Sequence, residues 1–150
     1  FQDYHQFMSR AEATYTEMAH MTNQLHDLQG RLKEMITYLE SNDRAEVAKE
    51  AKSVQEKLDT WDKLMVQRLS KAYDDVENFV NGFTAQYLTA LNHGDSGIPR
   101  INAGTRERIA ALNARWEKYK GQAAALIEED IAGLNRKFYE LGIGPLYLRD

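Results

Sequence analysis

Residues 94–97 read Gly-Asp-Ser-Gly, the residue types that surround the nucleophile of chymotrypsin-like serine proteases, and His93 precedes them. That chemistry needs a serine on a strained turn, a histidine to take its proton, a buried carboxylate to orient the histidine, and an oxyanion hole. In the chymotrypsin order the base and the carboxylate lie well upstream, on strands of a β-barrel. Here His93, Asp95 and Ser96 are too close in sequence to converge as a relay, and nothing in the chain reads as a barrel. Gly, Asp and Ser also suit a turn between two helices. The stretch is therefore read as a turn, and no catalytic residue is assigned to it.

Three acidic groups could hold a metal. Glu17 and His20 form a Glu-x-x-His pair, but a di-iron bundle uses two such pairs and two further glutamates, all facing inward. The second pair is missing, and with Tyr4 at heptad position a the two residues fall at g and c, on a solvated flank. His5 and His26 have no ligand-like companion at i+4. Asp74, Asp75 and Glu77 lack the ligand spacing and the glycine of a calcium loop; acids ahead of a helix more often cap it and complement its dipole. Glu128-Glu129-Asp130 lies within a helical stretch, between Ile127 and Ile131, and reads as an exposed face. No metal site and no cofactor is expected.

The aromatic residues are the other candidates. Phe79, Phe83 and Tyr87 form one stripe, and Trp61 and Trp116 lie on others. Helical spacing by itself makes such residues core. The functional reading is a docking surface for another domain or subunit, if the stripe is wider than the bundle can cover.

These residues must be positioned by helices. Prolines are confined to Pro99 and Pro145, and up to His93 the only glycines are Gly30 and Gly82. Tyr4, Ala11, Met18, Leu25, Leu32 and Leu39 recur every seven residues, with Phe7, Met21, Leu28 and Met35 three after members of that series. This a/d seam predicts a first helix over about residues 3–40, roughly 55 Å long. Ser41-Asn42 breaks it, and Asp43 with Glu46 predicts a capping-box start for helix 2, striped by Val47, Ala51, Val54, Leu58, Trp61 and Met65. A break is expected within 68–78, then helix 3 to about Leu91. His93 to Gly104 reads as loop, and Thr105 as the N-cap of helix 4. Its stripe is Ile109, Leu112, Trp116, Tyr119, Ala123, Ile127, Ile131, Leu134, Phe138 and Leu141. Gly142 stands where a C′ glycine belongs, and Pro145 prevents continuation.

The pattern predicts an all-α chain, an elongated antiparallel bundle of four helices by count. The alternative is three arms, with helices 2 and 3 stacked as a broken middle arm. One domain over residues 1–150 is expected, with a core of its own. The chain has 23 acids against 19 bases, net −4, with the cations dispersed. That argues against nucleic acid as the main partner. No apolar run approaches the ~18–20 residues that cross a bilayer, so no membrane insertion is expected. Cysteine is absent, which removes disulfides and thiolate chemistry. The chain opens on Phe1 with no initiator Met, so it is expected to be a piece of something longer.

Residues 71–120 carry a family resemblance that extends on both sides and is densest at Tyr73-Asp74-Asp75-Val76-Glu77-Asn78-Phe79, Ile98-Pro99-Arg100 and the closing Leu141-Gly142-Ile143-Gly144. Over about residues 5–144 the chain resembles the C-terminal helical region of bacterial BNR/Asp-box, sortilin-like glycosyl hydrolase proteins of Bacteroidetes type. Relatives carry Pro where this chain has Val80, which places the start of helix 3 near residue 79. The resemblance implies an N-terminal sialidase-like β-propeller as partner in the parent chain, and a periplasmic or extracellular location. An Asp box is absent here, and no carboxylate pair can be placed across a cleft. The expected role is a non-catalytic accessory domain that packs on, spaces or dimerises the propeller, with a homodimer among its partners. The competing roles are a stand-alone metal-carboxylate enzyme and a helix-binding adaptor.

Overall fold

The structure, a computed structural model, describes residues 2–68, 82–94 and 103–150. All the regular secondary structure of the described residues is helical, without a strand. Helix α1 spans Gln2–Ser41, α2 Ala45–Met65, α3 Phe83–Gly94, α4 Ala103–Ala125 and α5 Ala132–Glu140, with a π-helical segment at Leu126–Ile131. Backbone angles on both sides of Ile131 are right-handed helical, so α4, the π segment and α5 form one continuous helix. By that count the described residues form four helices.

The chain divides into two compact units. Unit 1 is Phe1–Met21 with Lys63–Lys120, and unit 2 is Thr22–Asp62 with Gly121–Asp150. In unit 1, α1 and α4 run parallel: Asp3 pairs with Arg106, and Glu17 with Trp116 and Lys120. Helix α3 runs antiparallel to α4, because Gln86 meets Arg115, Tyr87 meets Asn113 and Phe83 meets Tyr119. In unit 2, α2 runs antiparallel to α1, through Lys52–Glu40 and Gln29–Asp59. It is also antiparallel to the π segment and α5, through Lys57–Asp130 and Lys137–Glu50. Each unit is thus a three-segment, up-down-up packing.

Of the heptad a residues, Ala11, Met18, Leu25, Leu32 and Leu39 are buried and Tyr4 is half-buried. Of the expected d residues Leu28 is buried, but Phe7, Met21 and Met35 are only half-buried, and Met8, Thr22 and Ile36, one residue later, are buried instead. A helix with two packed neighbours buries a wider stripe than a two-helix seam. The wider stripe here leans toward position e. The same one-residue shift puts Ala48 rather than Val47 in the core.

Both long helices end in a left-handed residue. At the end of α5, Gly142 has φ +73°, its N–H reaches the Tyr139 carbonyl at 3.1 Å, and the Ile143 N–H reaches Phe138 at 2.7 Å. That is a complete Schellman turn. At the end of α1 the left-handed residue is Asp43, φ 59°, and the Arg44 N–H returns to the Leu39 carbonyl at 2.9 Å. Asp43 is therefore not the cap of α2. Arg44 holds that place, since its carbonyl accepts the Ala48 N–H at 2.9 Å. The turn is so short that the C′ residue of one helix and the cap of the next are neighbours.

Helix α2 ends at Met65, ahead of the expected break, although Val66-Gln67-Arg68 contains no breaker. Within unit 1 the start of α3 closes that end. The Thr84 hydroxyl donates to the Met65 carbonyl at 2.8 Å, and Gly82 lies against the backbone of Met65 to Gln67. A Cβ on Gly82 would stand 2.7 Å from the Met65 carbonyl oxygen, so only glycine permits the approach. The expected break, Val80 and the Tyr73–Phe79 stretch are partly or wholly outside the described residues.

The π segment resets the register of the last helix. Buried positions run Ile109, Leu112, Trp116, Ala123, Leu126, and then jump five residues to Ile131, Leu134 and Phe138. An uninterrupted 3–4 spacing would carry Asp130 into the core. The inserted residue leaves Asp130 at the edge, where its carboxylate accepts from Lys57 Nζ at 3.1 Å. A lone buried carboxylate is costly, which favours the wider turn. Leu126 is buried where Ile127 was expected.

Candidate functional site

The expected aromatic surface resolves into core. Trp61, Phe83, Tyr87 and Trp116 are each 3% exposed or less, and Phe79 lies outside the described residues. The structure corrects the docking-surface reading for these four rings, because packed neighbours already cover them. In unit 1, Phe83 meets Tyr119 edge-on at 5.1 Å, and Tyr87 stacks on Tyr15 at 6.5 Å. Arg115 lies over Phe83 at 5.0 Å and donates to the Tyr119 hydroxyl at 3.2 Å. Such pairs stabilise beyond their area, and each polar tip needs a partner once buried. The Tyr87 hydroxyl donates to Asn113 Oδ1 at 2.7 Å, and burial raises its pKa above the ordinary phenol range.

Glu17 is the clearest case of a residue whose chemistry is structural. The Trp116 indole N–H donates to it at 3.1 Å, and Lys120 Nζ lies 2.8 Å away. The Lys120 hydrogen bond is the largest cause of a Glu17 pKa below the usual carboxylate range, with the indole adding to it. His20, three residues on, is exposed. Asp74, Asp75, Glu77 and the Asp95-Ser96-Gly97 part of the turn motif lie outside the described residues. His93 and Gly94 belong to α3. Among the described residues, no three His, Cys, Asp or Glu side chains are grouped to hold a metal ion.

No family model, curated protein or solved structure matches this chain. The site must therefore be read from geometry.

Sequence reasoning missed two features of unit 2. A groove of about 390 Å³ lies beside the π segment, between α2 and α5, lined by Glu50, Val54, Asp130, Gly133, Leu134 and Lys137 among others. Glu50 pairs with Lys137 across the seam and Asp130 with Lys57, while Glu129, Glu140 and Arg136 complete a lining of four acids against two bases. The sequence signal was the placement of Asp130 on the stripe. The second feature is Asp62, 5% exposed, with His26 Nδ1 3.7 Å from its carboxylate. A carboxylate beside a histidine is where acid–base chemistry begins, but this spacing is too long for a hydrogen bond. Its position directly after buried Trp61 was the available signal.

The large apolar side chains that do reach solvent are different from the expected set. Among the described residues they are Tyr139 (85% exposed), Tyr147 (60%) and Tyr38 (53%) in unit 2, and Leu64 (43%) and Leu88 (39%) in unit 1.

Proposed function

We propose that this chain is a non-catalytic helical accessory domain of a larger protein, acting in domain packing, spacing or oligomerisation. Following the resemblance, the rest of that protein is a sialidase-like β-propeller outside the cell or in the periplasm, and any glycoside chemistry belongs to the propeller. The observation that carries the reading is where the candidate side chains are spent. Glu17 completes the hydrogen bonding of Trp116, Tyr87 bonds to Asn113, and Trp61 and Phe83 are core. The contact surface would be on unit 2, where exposed tyrosines concentrate. Tyrosine suits interfaces because it combines a large apolar face with a polar tip.

The test is the size of the native gene product, by immunoblot with an antibody raised to this chain. A band far above 17.3 kDa is expected. A band near that mass would sink the reading. In the whole protein, Tyr139→Glu should then increase protease cleavage between the two parts without altering the helical spectrum of the isolated domain.

A further inference from the structure

Residues 143–150 carry neither helix nor strand, yet Leu146 among them is only 5% exposed. Side chains hold the segment in place. The Asn135 carboxamide accepts the Leu146 N–H at 2.7 Å and donates to the Leu146 carbonyl at 2.8 Å. Arg31 donates to the Tyr147 carbonyl, and Gln24 to the Arg149 carbonyl at 3.4 Å. Three side chains from α1 and α5 thus grip four main-chain groups, whatever the identity of the residues that carry them. Selectivity lies in three further contacts. Leu146 is buried, the Tyr147 ring lies beneath the Arg31 guanidinium at 5.1 Å, and Arg149 reaches the Asp27 carboxylate with Nε at 3.2 Å and Nη2 at 2.8 Å.

Proteins hold a foreign extended peptide in the same manner, with the main chain gripped and particular side chains seated. The bidentate arginine–carboxylate pair is the strongest of these contacts in kind, because both partners are charged and the fork matches the carboxylate. Left-handed Gly142 ends α5, and the segment after it comes back against Asn135 of that helix.

We propose that this face of unit 2 is a peptide-binding groove that residues 143–150 occupy in cis. Its partner is an extended segment of another protein with the same chemistry: a leucine to bury, an aromatic residue directly after it, and an arginine three after it. The resident segment is tethered, at an effective concentration on the order of millimolar, so it masks the groove until it is weakened or outcompeted. The groove rests on unit 2 alone and does not require a propeller upstream.

The test uses the full chain, with and without Arg149→Ala, and a fluorescent peptide Gly-Pro-Leu-Tyr-Leu-Arg-Asp that copies residues 144–150. Anisotropy should show saturable binding to the Arg149→Ala chain, at least about tenfold tighter than to the unsubstituted chain, whose own segment competes. A peptide with Asp in place of the first leucine should not bind, nor should the normal peptide bind a chain that also carries Asn135→Ala. Hydrogen exchange at the Leu146 amide should accelerate in the Arg149→Ala chain. Two results would overturn the proposal. One is a Leu146 amide as protected in that variant as in the parent, which makes the segment an ordinary structural end. The other is a released segment with no gain in peptide binding, which means that no groove persists without it.

Discussion

Unit 1 and unit 2 draw on the same two long helices but close their cores with different chemistry. Unit 1 buries Trp116, Tyr87 and Phe83, and the polar tips of its aromatics are bonded to Glu17 and Asn113. Unit 2 buries mainly aliphatic residues, Leu25, Leu28, Leu32, Leu39, Leu58, Ile131 and Leu134, around Trp61 and Phe138. Its ion pairs Lys57–Asp130, Lys137–Glu50 and Asp27–Arg149 lie at the rim, and Thr22 and Asp62 are its buried polar side chains. An aromatic ring with a polar tip has one acceptable orientation, whereas branched aliphatic side chains can repack with less penalty. Unit 1 should therefore be specified by its core, and unit 2 by the contacts around its core.

The largest expected effect breaks that contrast at its centre. Trp116→Ala should cost about 3–5 kcal/mol, and it also strands Glu17 without its indole donor. The chain has two tryptophans, one in each unit, so the variant leaves Trp61 as a fluorescence reporter of unit 2. Hydrogen exchange should quicken first in α3 and α4. Equal loosening of both units would show that their cores are not separable in this way.

Next is the entry to α3. Gly82→Ala should cost about 1–3 kcal/mol through overpacking against the backbone of Met65 to Gln67. Urea denaturation would measure it, and a neutral result would remove the claim that this contact terminates α2.

The two helix ends offer a paired test. Gly142→Ala should destabilise by about 1–2 kcal/mol, and Asp43→Gly should stabilise by up to about 1 kcal/mol, because both positions are left-handed and only one already carries glycine. Shifts in Tm of opposite sign are expected. A loss of stability in Asp43→Gly would mean that the aspartate side chain does more there than tolerate the turn.

The smallest effect is acid sensitivity. Lys120, chiefly by its hydrogen bond, lowers the pKa of Glu17 in unit 1, and Arg149 likewise lowers that of Asp27 in unit 2. A lowered folded pKa gives stabilisation that is complete above the unfolded carboxylate range and lost as pH falls through the folded values. Exposed pairs contribute little, so the loss should be shallow and should diminish in high salt. The Tyr147 ring and the Leu146 amide would report the release of residues 143–150 as Asp27 protonates. Release with no pH dependence would remove Asp27 as the anchor.

Much of the secondary structure was legible because its causes are local. The seven-residue recurrence from Tyr4 to Leu39 required one face of α1 to be buried, and five of its six residues are, with Tyr4 half-buried. The glycine at 142 required a left-handed residue, and its φ of +73° meets it. The aromatic set was legible as a set of large apolar side chains, but not as inward or outward, since spacing alone describes a stripe and not what lies against it.

What only the tertiary structure decided concerns neighbours. The choice of Met8, Thr22 and Ile36 over Phe7, Met21 and Met35 depends on two flanking helices, which a single-helix pattern cannot show. The stop at Met65 depends on Gly82 and Thr84 arriving from 17 and 19 residues further along. The π turn depends on Lys57 meeting Asp130 at the edge of the core. The burial of Leu146 depends on Asn135, Arg31 and Gln24 gripping a main chain that has no partner of its own. Periodicity and backbone preference are properties of a few consecutive residues, so the sequence alone determined them. Which face is covered, where a helix stops and what grips an extended segment are contacts across the chain, and those follow from packing.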